Sequence, residues 1–75
     1  MDYSFGKWVK HSRKAVDLTQ WELAFKVGCS SSMIFKIEAD RRRPSLQIAH
    51  RLATYLEIPP EQHEQFIQFA RLKKP

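Results

Sequence analysis

The sequence predicts an all-α domain of five short helices, and three observations support this prediction. Apolar residues recur at the spacing of helix turns, whereas no segment alternates like a strand. Ser and Thr residues that suit helix N-termini precede several of these apolar stripes. The 75 residues include only 2 Gly and 4 Pro, which excludes collagen-like and loop-rich chains. Within one domain at 1–75, we expect helices near residues 4–16, 19–27, 30–39, 45–57 and 60–72.

The first predicted helix has one apolar and one basic face. Phe5, Trp8 and Val9 fall at helical spacing, with Ser12 and either Ala15 or Val16 continuing the stripe. The lysines of this segment lie on the opposite face. Asp17-Leu18 forms a short break before the next helix.

The second predicted helix has a clear start and a clear end. Thr19 and Glu22 form a T-x-x-E capping box, in which each side chain binds the other residue's backbone N–H. Gly28 is placed to end the helix in the left-handed conformation. The helix has only about eight residues, so it needs tertiary packing to persist. Its predicted buried stripe consists of Leu23, Ala24 and Val27.

The third predicted helix is followed by a basic loop. Ser30 is the candidate N-cap, and the helix ends near Ala39-Asp40. Three consecutive arginines occupy 41–43, and Pro44 makes its predecessor extended. The inward positions of this helix are Ile34 and Ile37.

Two further helices complete the predicted fold. Ser45 caps the fourth helix, and Pro59-Pro60 ends it and starts the fifth. We expect residues 71–75 to fray. The predicted inward residues are Ile48, Ala49, Leu52, Ala53 and Leu56 in the fourth helix and Phe66, Ile67 and Ala70 in the fifth.

Size and composition exclude most function classes. A chain of 8.9 kDa is too short for a barrel or doubly wound enzyme. The sequence has no catalytic triad, carboxylate pair or phosphate-binding Gly loop, so we expect neither an enzyme nor a cofactor. Cys29 is the single cysteine, and we expect it to be a small buried residue in a turn. The histidines lack ligand spacing, which predicts no metal site; they are His11, His50 and His63.

Charge points to an anionic partner. The net charge is +5, with four cations and no acid in residues 7–14 and three more in 41–43. Such a chain suits nucleic acid, an anionic membrane surface or an acidic protein. No apolar run approaches a membrane span, and the N-terminus lacks the apolar core of a signal peptide, so we expect a cytoplasmic protein.

The segment 18–45 contains two short helices that meet at a tight turn, the helix-turn-helix arrangement. It resembles the lambda-repressor-like (Xre-type) helix-turn-helix family over residues 8–58, and the last helix resembles that of N-terminal domains of larger bacterial regulators. Three departures stand out: Asp40 replaces the usual Gly, Cys29 the usual Val, and the third helix lacks Gln, Asn and Arg. The matching positions are Arg13, Leu18, Thr19, Gln20, Leu23, Ala24, Gly28, Ser30, Ile34, Ile37, Glu38, Arg42, Pro44 and Ser45.

The resemblance implies double-stranded DNA binding, with the third helix in the major groove. Arg13 and Glu38 would form a structural salt bridge between helices one and three. Phe35 would cover a thymine methyl group or pack on a neighbour. The implied base contacts are Ser31, Ser32, Phe35 and Lys36. The implied phosphate contacts are Lys14, Gln20, Ser30, Arg41, Arg42 and Arg43.

Each of these groups also has a plainer interpretation. The serines and Lys36 could be an ordinary polar face, Gln20 a solvated first-turn residue, and the arginines a solvated charge run. A homodimer on two half-sites, about 34 to 36 Å apart, would supply the specificity that one domain lacks. The alternatives to DNA binding are a protein-interaction module that keeps the fold and, less favoured, a membrane-surface helix. The chain is expected either to continue into a C-terminal effector domain or to be a complete small protein.

Overall fold

The computed structural model describes residues 3–71, and this part of the chain is helical without a strand, which confirms the all-α prediction. A 3₁₀ turn, Pro60–Gln62, precedes the last helix. Of the residues predicted to fray, 71–75, Arg71 is the last residue of α5 instead, and the others, with the predicted helix end at Leu72, lie outside the described residues. The helices are α1 (Phe5–Ala15), α2 (Gln20–Val27), α3 (Ser31–Glu38), α4 (Leu46–Tyr55) and α5 (His63–Arg71).

Hydroxyl side chains cap the N-termini of α1 to α4. The Thr19 hydroxyl accepts from the Glu22 N–H at 3.0 Å, and the Thr19 N–H donates to the Glu22 carboxylate at 2.9 Å, so the predicted capping box is present. That backbone hydrogen bond is the main reason that the pKa of Glu22 lies below its usual value. Ser4, Ser30 and Ser45 each cap a helix in the same way, as predicted for the last two.

The C-termini of α1 to α4 share one geometry. Each helix is followed by a left-handed residue, and the next N–H bonds back to a carbonyl five residues earlier. Only one of these left-handed positions is a glycine, so the other three carry backbone strain. The residues are Asp17 (φ 62°), Gly28 (φ 83°), Asp40 (φ 59°) and Glu57 (φ 56°).

All five helices contribute residues to the core, and α5 packs against α1 and α4. Phe66 is fully buried, and its ring lies 4.9 Å from Phe5 and 5.0 Å from Trp8. Phe5 and Trp8 are therefore used in packing, which removes the apolar surface that a membrane-bound α1 would need. In residues 3–71 no helix is both long and apolar enough to span a membrane. The first turn of the predicted fifth helix is 3₁₀ instead of α, because the Gln62 N–H bonds to Pro59 at 2.8 Å.

A close approach joins the start of α1 to the end of α3. A Cβ on Gly6 would lie 2.5 Å from the Glu38 carbonyl and 2.6 Å from that of Ile37, so only glycine fits here. The Gly6 N–H also donates to the Asp40 carboxylate at 2.9 Å. Asp40 thus places a negative charge at the N-terminus of α1, a favourable position for an anion.

Candidate nucleic-acid interface

Helices α2 and α3 meet at the turn formed by Gly28, Cys29 and Ser30. The left-handed Gly28 ends α2, and Ser30 starts α3 only two residues later. The Arg51 guanidinium, from α4, donates to the Val27 carbonyl at 3.1 Å and thereby fixes the turn from the other side. The two helices therefore form a helix-turn-helix unit whose geometry is set by local capping and by α4.

An ion-pair network holds the inner side of α3 to α1 and α2. Arg13 Nε lies 2.6 Å from Glu38 Oε2, and both residues are buried with 8% exposure. The Arg13 guanidinium also donates to the Leu18 carbonyl at 2.8 Å. The predicted salt bridge is therefore present. Gln20 Nε2 donates to Glu38 Oε1 at 3.0 Å, a link between α2 and α3 that the sequence did not indicate.

The outer side of α3 is exposed. Ile34 and Ile37 face the core, so the residues between them face solvent. Phe35 is 53% exposed and does not complete the core. The structure brings together on this side all four residues predicted to contact bases: Ser31, Ser32, Phe35 and Lys36.

The N-termini of α2 and α3 lie at opposite ends of α3. The Ser30 hydroxyl accepts from the Met33 N–H at 3.0 Å, which leaves its own O–H hydrogen to donate outward. Gln20 is half-buried in the first turn of α2, where its amide nitrogen keeps a second hydrogen beside the one given to Glu38. Both residues thus lie where backbone dipoles favour an anion.

The three loop arginines have different surroundings. Arg41 and Arg42 are exposed beyond the end of α3. Arg43 Nη1 instead donates to the carbonyls of Phe69 at 3.4 Å and Ala70 at 3.3 Å, near the C-terminus of α5. A cation near the carbonyl end of a helix is stabilised by the helix dipole. Arg43 is itself exposed and uses only Nη1 in these bonds, so its phosphate contact remains a prediction.

Comparison with known proteins identifies the fold family. A helix-turn-helix family model matches residues 9–62. The chain belongs to the lambda-repressor-like helix-turn-helix family. It is 44% identical over 48 residues to an HTH-type transcriptional regulator of Methanothermobacter thermautotrophicus (strain ATCC 29096 / DSM 1053 / JCM 10044 / NBRC 100330 / Delta H), covering 64% of this chain and 70% of that protein. It is 36% identical to the restriction-modification controller protein C.AhdI of Aeromonas hydrophila, with a TM-score of 0.71 over 79% of this chain and 86% of that one.

Membership in this helix-turn-helix family supports DNA-binding transcriptional regulation as the function. The match covers the turn, the ion-pair network and the exposed side of α3. It therefore includes the elements that would hold and present a DNA-reading helix.

Lys14 lies in a different part of this helix-turn-helix domain. It is exposed in the last turn of α1 and lines a shallow depression made by basic and aromatic side chains of the N-terminal segment. The structure does not place it in the cleft beside the N-terminus of α3. The other residues of the depression are Tyr3, Lys7, Lys10 and His11.

Cys29 differs from its prediction because it is only half-buried. It lines a cleft between α2 and the start of α3, and burial raises the pKa of its thiol. In residues 3–71 the structure shows no cluster of His, Cys, Asp and Glu that could hold a metal ion. Sequence reasoning missed the two other side chains that dominate this cleft, Trp21 and Phe25.

Proposed function

We propose that α3 enters the major groove of double-stranded DNA and presents Ser31, Ser32, Phe35 and Lys36 to the base edges. The observation that carries this proposal is their common exposure on one side of α3. The Arg13–Glu38 pair and Gln20 fix the opposite side, so α3 has a defined orientation before DNA binds. A pre-ordered helix loses less conformational entropy on binding than a mobile one.

Phosphate contacts supply most of the affinity in this proposal. The N-termini of α2 and α3 offer backbone dipoles, together with Gln20 and Ser30. Arg41 and Arg42 lie exposed directly after α3 and add two cations. Lys14 would reach a phosphate only at the periphery, because it lines the separate depression on α1.

Base discrimination by one copy is modest. A serine hydroxyl can bond to any base, whereas Lys36 suits the N7 and O6 atoms of guanine. Phe35 can cover a thymine methyl group. High specificity then requires two copies of the chain on two half-sites, about 34 to 36 Å apart.

Salt dependence tests the phosphate part of the proposal. If Arg41 and Arg42 of each copy neutralise about two phosphates, log K should fall against log salt with a slope of roughly −2. Fluorescence anisotropy with a labelled duplex at several salt concentrations measures this slope. A flat response would show that the affinity does not come from phosphate contacts.

Two substitutions separate base contacts from phosphate contacts. Lys36→Ala should reduce the preference among a panel of duplexes, whereas Arg42→Ala should weaken binding to every duplex about equally. Lys7→Ala, which removes one charge from the outer face of α1, is the matched control and should change affinity least. Exchanged results for the first two variants would place the base-reading surface elsewhere.

The competing function is a protein-interaction module. The absence of Gln, Asn and Arg from α3 favours it, because these are the usual base-reading residues. In that case the chain would not shift a random duplex even at low salt. Binding to duplex at low salt that is lost at high salt supports DNA binding instead.

A further inference from the structure

Trp21 and Phe25 form an exposed aromatic pair on α2. Their side chains are 66% and 76% exposed, and their rings stack with centroids 5.9 Å apart and an interplanar angle of 11°. They lie one turn apart on the side of α2 that faces away from the fully buried Leu23 and Val27. The core is therefore complete without them.

One edge of the aromatic pair continues into the proposed DNA interface. Both rings line the cleft that also contains Cys29, Ser30 and Ser31. Ser30 caps α3, and Ser31 is its first residue. A molecule that contacts the outer side of α3 at its N-terminus therefore passes directly beside the aromatic pair.

Charge around the pair favours the DNA backbone over a protein. Trp21 is the second residue of α2, so the rings lie between the N-termini of α2 and α3, both of which carry partial positive charge. The Glu22 carboxylate is bound by the Thr19 N–H, and its charge is thereby directed at the start of α2.

We propose that the aromatic pair is part of the DNA interface and packs against deoxyribose rings of the backbone beside the major groove. This inference rests on the proposed function. A DNA strand alternates apolar sugar faces with phosphates, and this surface alternates an apolar pair with two positive helix ends. The pair gives the chain affinity that does not depend on salt, and this compensates for an α3 with few base-reading side chains.

The double variant Trp21→Ala/Phe25→Ala tests the proposal. Duplex affinity should fall about tenfold, with the salt slope and the preference among duplexes unchanged, because the lost contact is neither ionic nor base-specific. The matched control, Trp21→Phe, keeps an aromatic ring and should retain most of the affinity. Thermal unfolding of the double variant should match that of the parent, since neither ring fills the core.

Tryptophan fluorescence gives an independent measurement on the intact chain. Acrylamide should quench the exposed Trp21 in the free protein, and adding duplex should protect it. Trp21→Phe identifies the signal, because its remaining Trp8 is packed against Phe66 and should show little change.

The outcomes distinguish this inference from the proposed function. If the parent chain binds no duplex, both are wrong. If it binds with the expected salt slope, but the double variant binds equally well and Trp21 stays accessible, only the inference is overturned. The parent chain could instead self-associate, and the double variant could abolish this association without changing DNA affinity. That result would assign the aromatic pair to contact with a second copy and would also overturn the inference.

Discussion

The two sides of α3 are built on different principles. The inner side is held by bonds between residues distant in sequence, such as the Arg13–Glu38 pair. The outer side carries Ser32 and Lys36, which the fold does not need for packing. Substitutions on the inner side should therefore change the free energy of unfolding, and those on the outer side should change DNA affinity. Measuring both quantities for each variant tests whether the two roles are separate.

The largest expected effect is loss of the buried ion pair. Arg13→Ala or Glu38→Ala should lower the free energy of unfolding by about 3 to 5 kcal/mol, because the remaining charge stays buried without its partner. A domain of this size has a total stability of roughly 4 to 11 kcal/mol, so each variant would melt far below the parent. Urea or thermal unfolding measures the change.

A double replacement provides the control for the ion pair. Arg13→Met/Glu38→Leu removes both charges and should recover much of the lost stability, because apolar side chains of similar volume pack there without a desolvation cost. If the single variants melt like the parent, the pair is solvated in solution. That result would also remove the basis for a rigidly oriented α3.

Gly6→Ala should have the next largest effect. Its Cβ would meet backbone carbonyls at 2.5 and 2.6 Å, so α1 and α3 must move apart. Overpacking of this kind costs about 1 to 3 kcal/mol. Lys7→Ala, at the next and exposed position of the same helix, should change stability by less than about 0.5 kcal/mol. Equal melting of Gly6→Ala and the parent would contradict the close contact between α1 and α3.

Sequence-based prediction succeeded where the cause is local. The Thr19–Glu22 capping box and the left-handed Gly28 depend on residues within one turn, and both are present. The Gly6–Asp40 bond joins residues 34 positions apart, and no local pattern indicates which helix end will approach which.

The candidate site shows the same limit of prediction. The exposed side of α3 follows from the positions of Ile34 and Ile37, which helical periodicity assigns to the core. The role of Arg43 does not follow in this way, because three adjacent arginines look identical until α5 is placed beside one of them. The predicted buried stripe of α2 already leaves Trp21 and Phe25 outside the core, but no local pattern indicated that the two rings would stack beside one cleft.

Arg42 and Arg43 provide a further test of whether stability and DNA affinity are separate, because they are adjacent residues of the same type. Arg43→Ala should lower the free energy of unfolding by about 0.5 to 1 kcal/mol, since it removes a cation from the carbonyl end of α5. Arg42→Ala should leave stability unchanged and weaken DNA binding. If Arg43→Ala instead weakens binding as much as Arg42→Ala and leaves the melting temperature unchanged, Arg43 contacts phosphate after all.

Opposing effects are expected at two left-handed aspartates, Asp17 and Asp40, whose φ angles are 62° and 59°. The family's usual Gly at position 40 suggests that Asp40→Gly would be neutral or slightly stabilising, by relief of strain worth up to about 1 kcal/mol. The Gly6 N–H bond to Asp40 changes that expectation. A hydrogen bond to a charged group contributes about 1.5 to 3 kcal/mol. Its loss should outweigh the relief, so Asp40→Gly should destabilise the protein.

Asp17→Gly is the matched control, because it relieves nearly the same strain at the end of α1. It should be neutral or stabilising by up to about 1 kcal/mol. Asp40→Asn keeps an oxygen acceptor for Gly6 and should fall between the parent and Asp40→Gly in unfolding experiments. Both Asp40 variants remove a negative charge beside Arg41 and Arg42 and should slightly tighten DNA binding. If Asp40→Gly is stabilised as much as Asp17→Gly, the bond to Gly6 contributes nothing to stability, and the polar anchoring of α3 to α1 would depend on the Arg13–Glu38 pair.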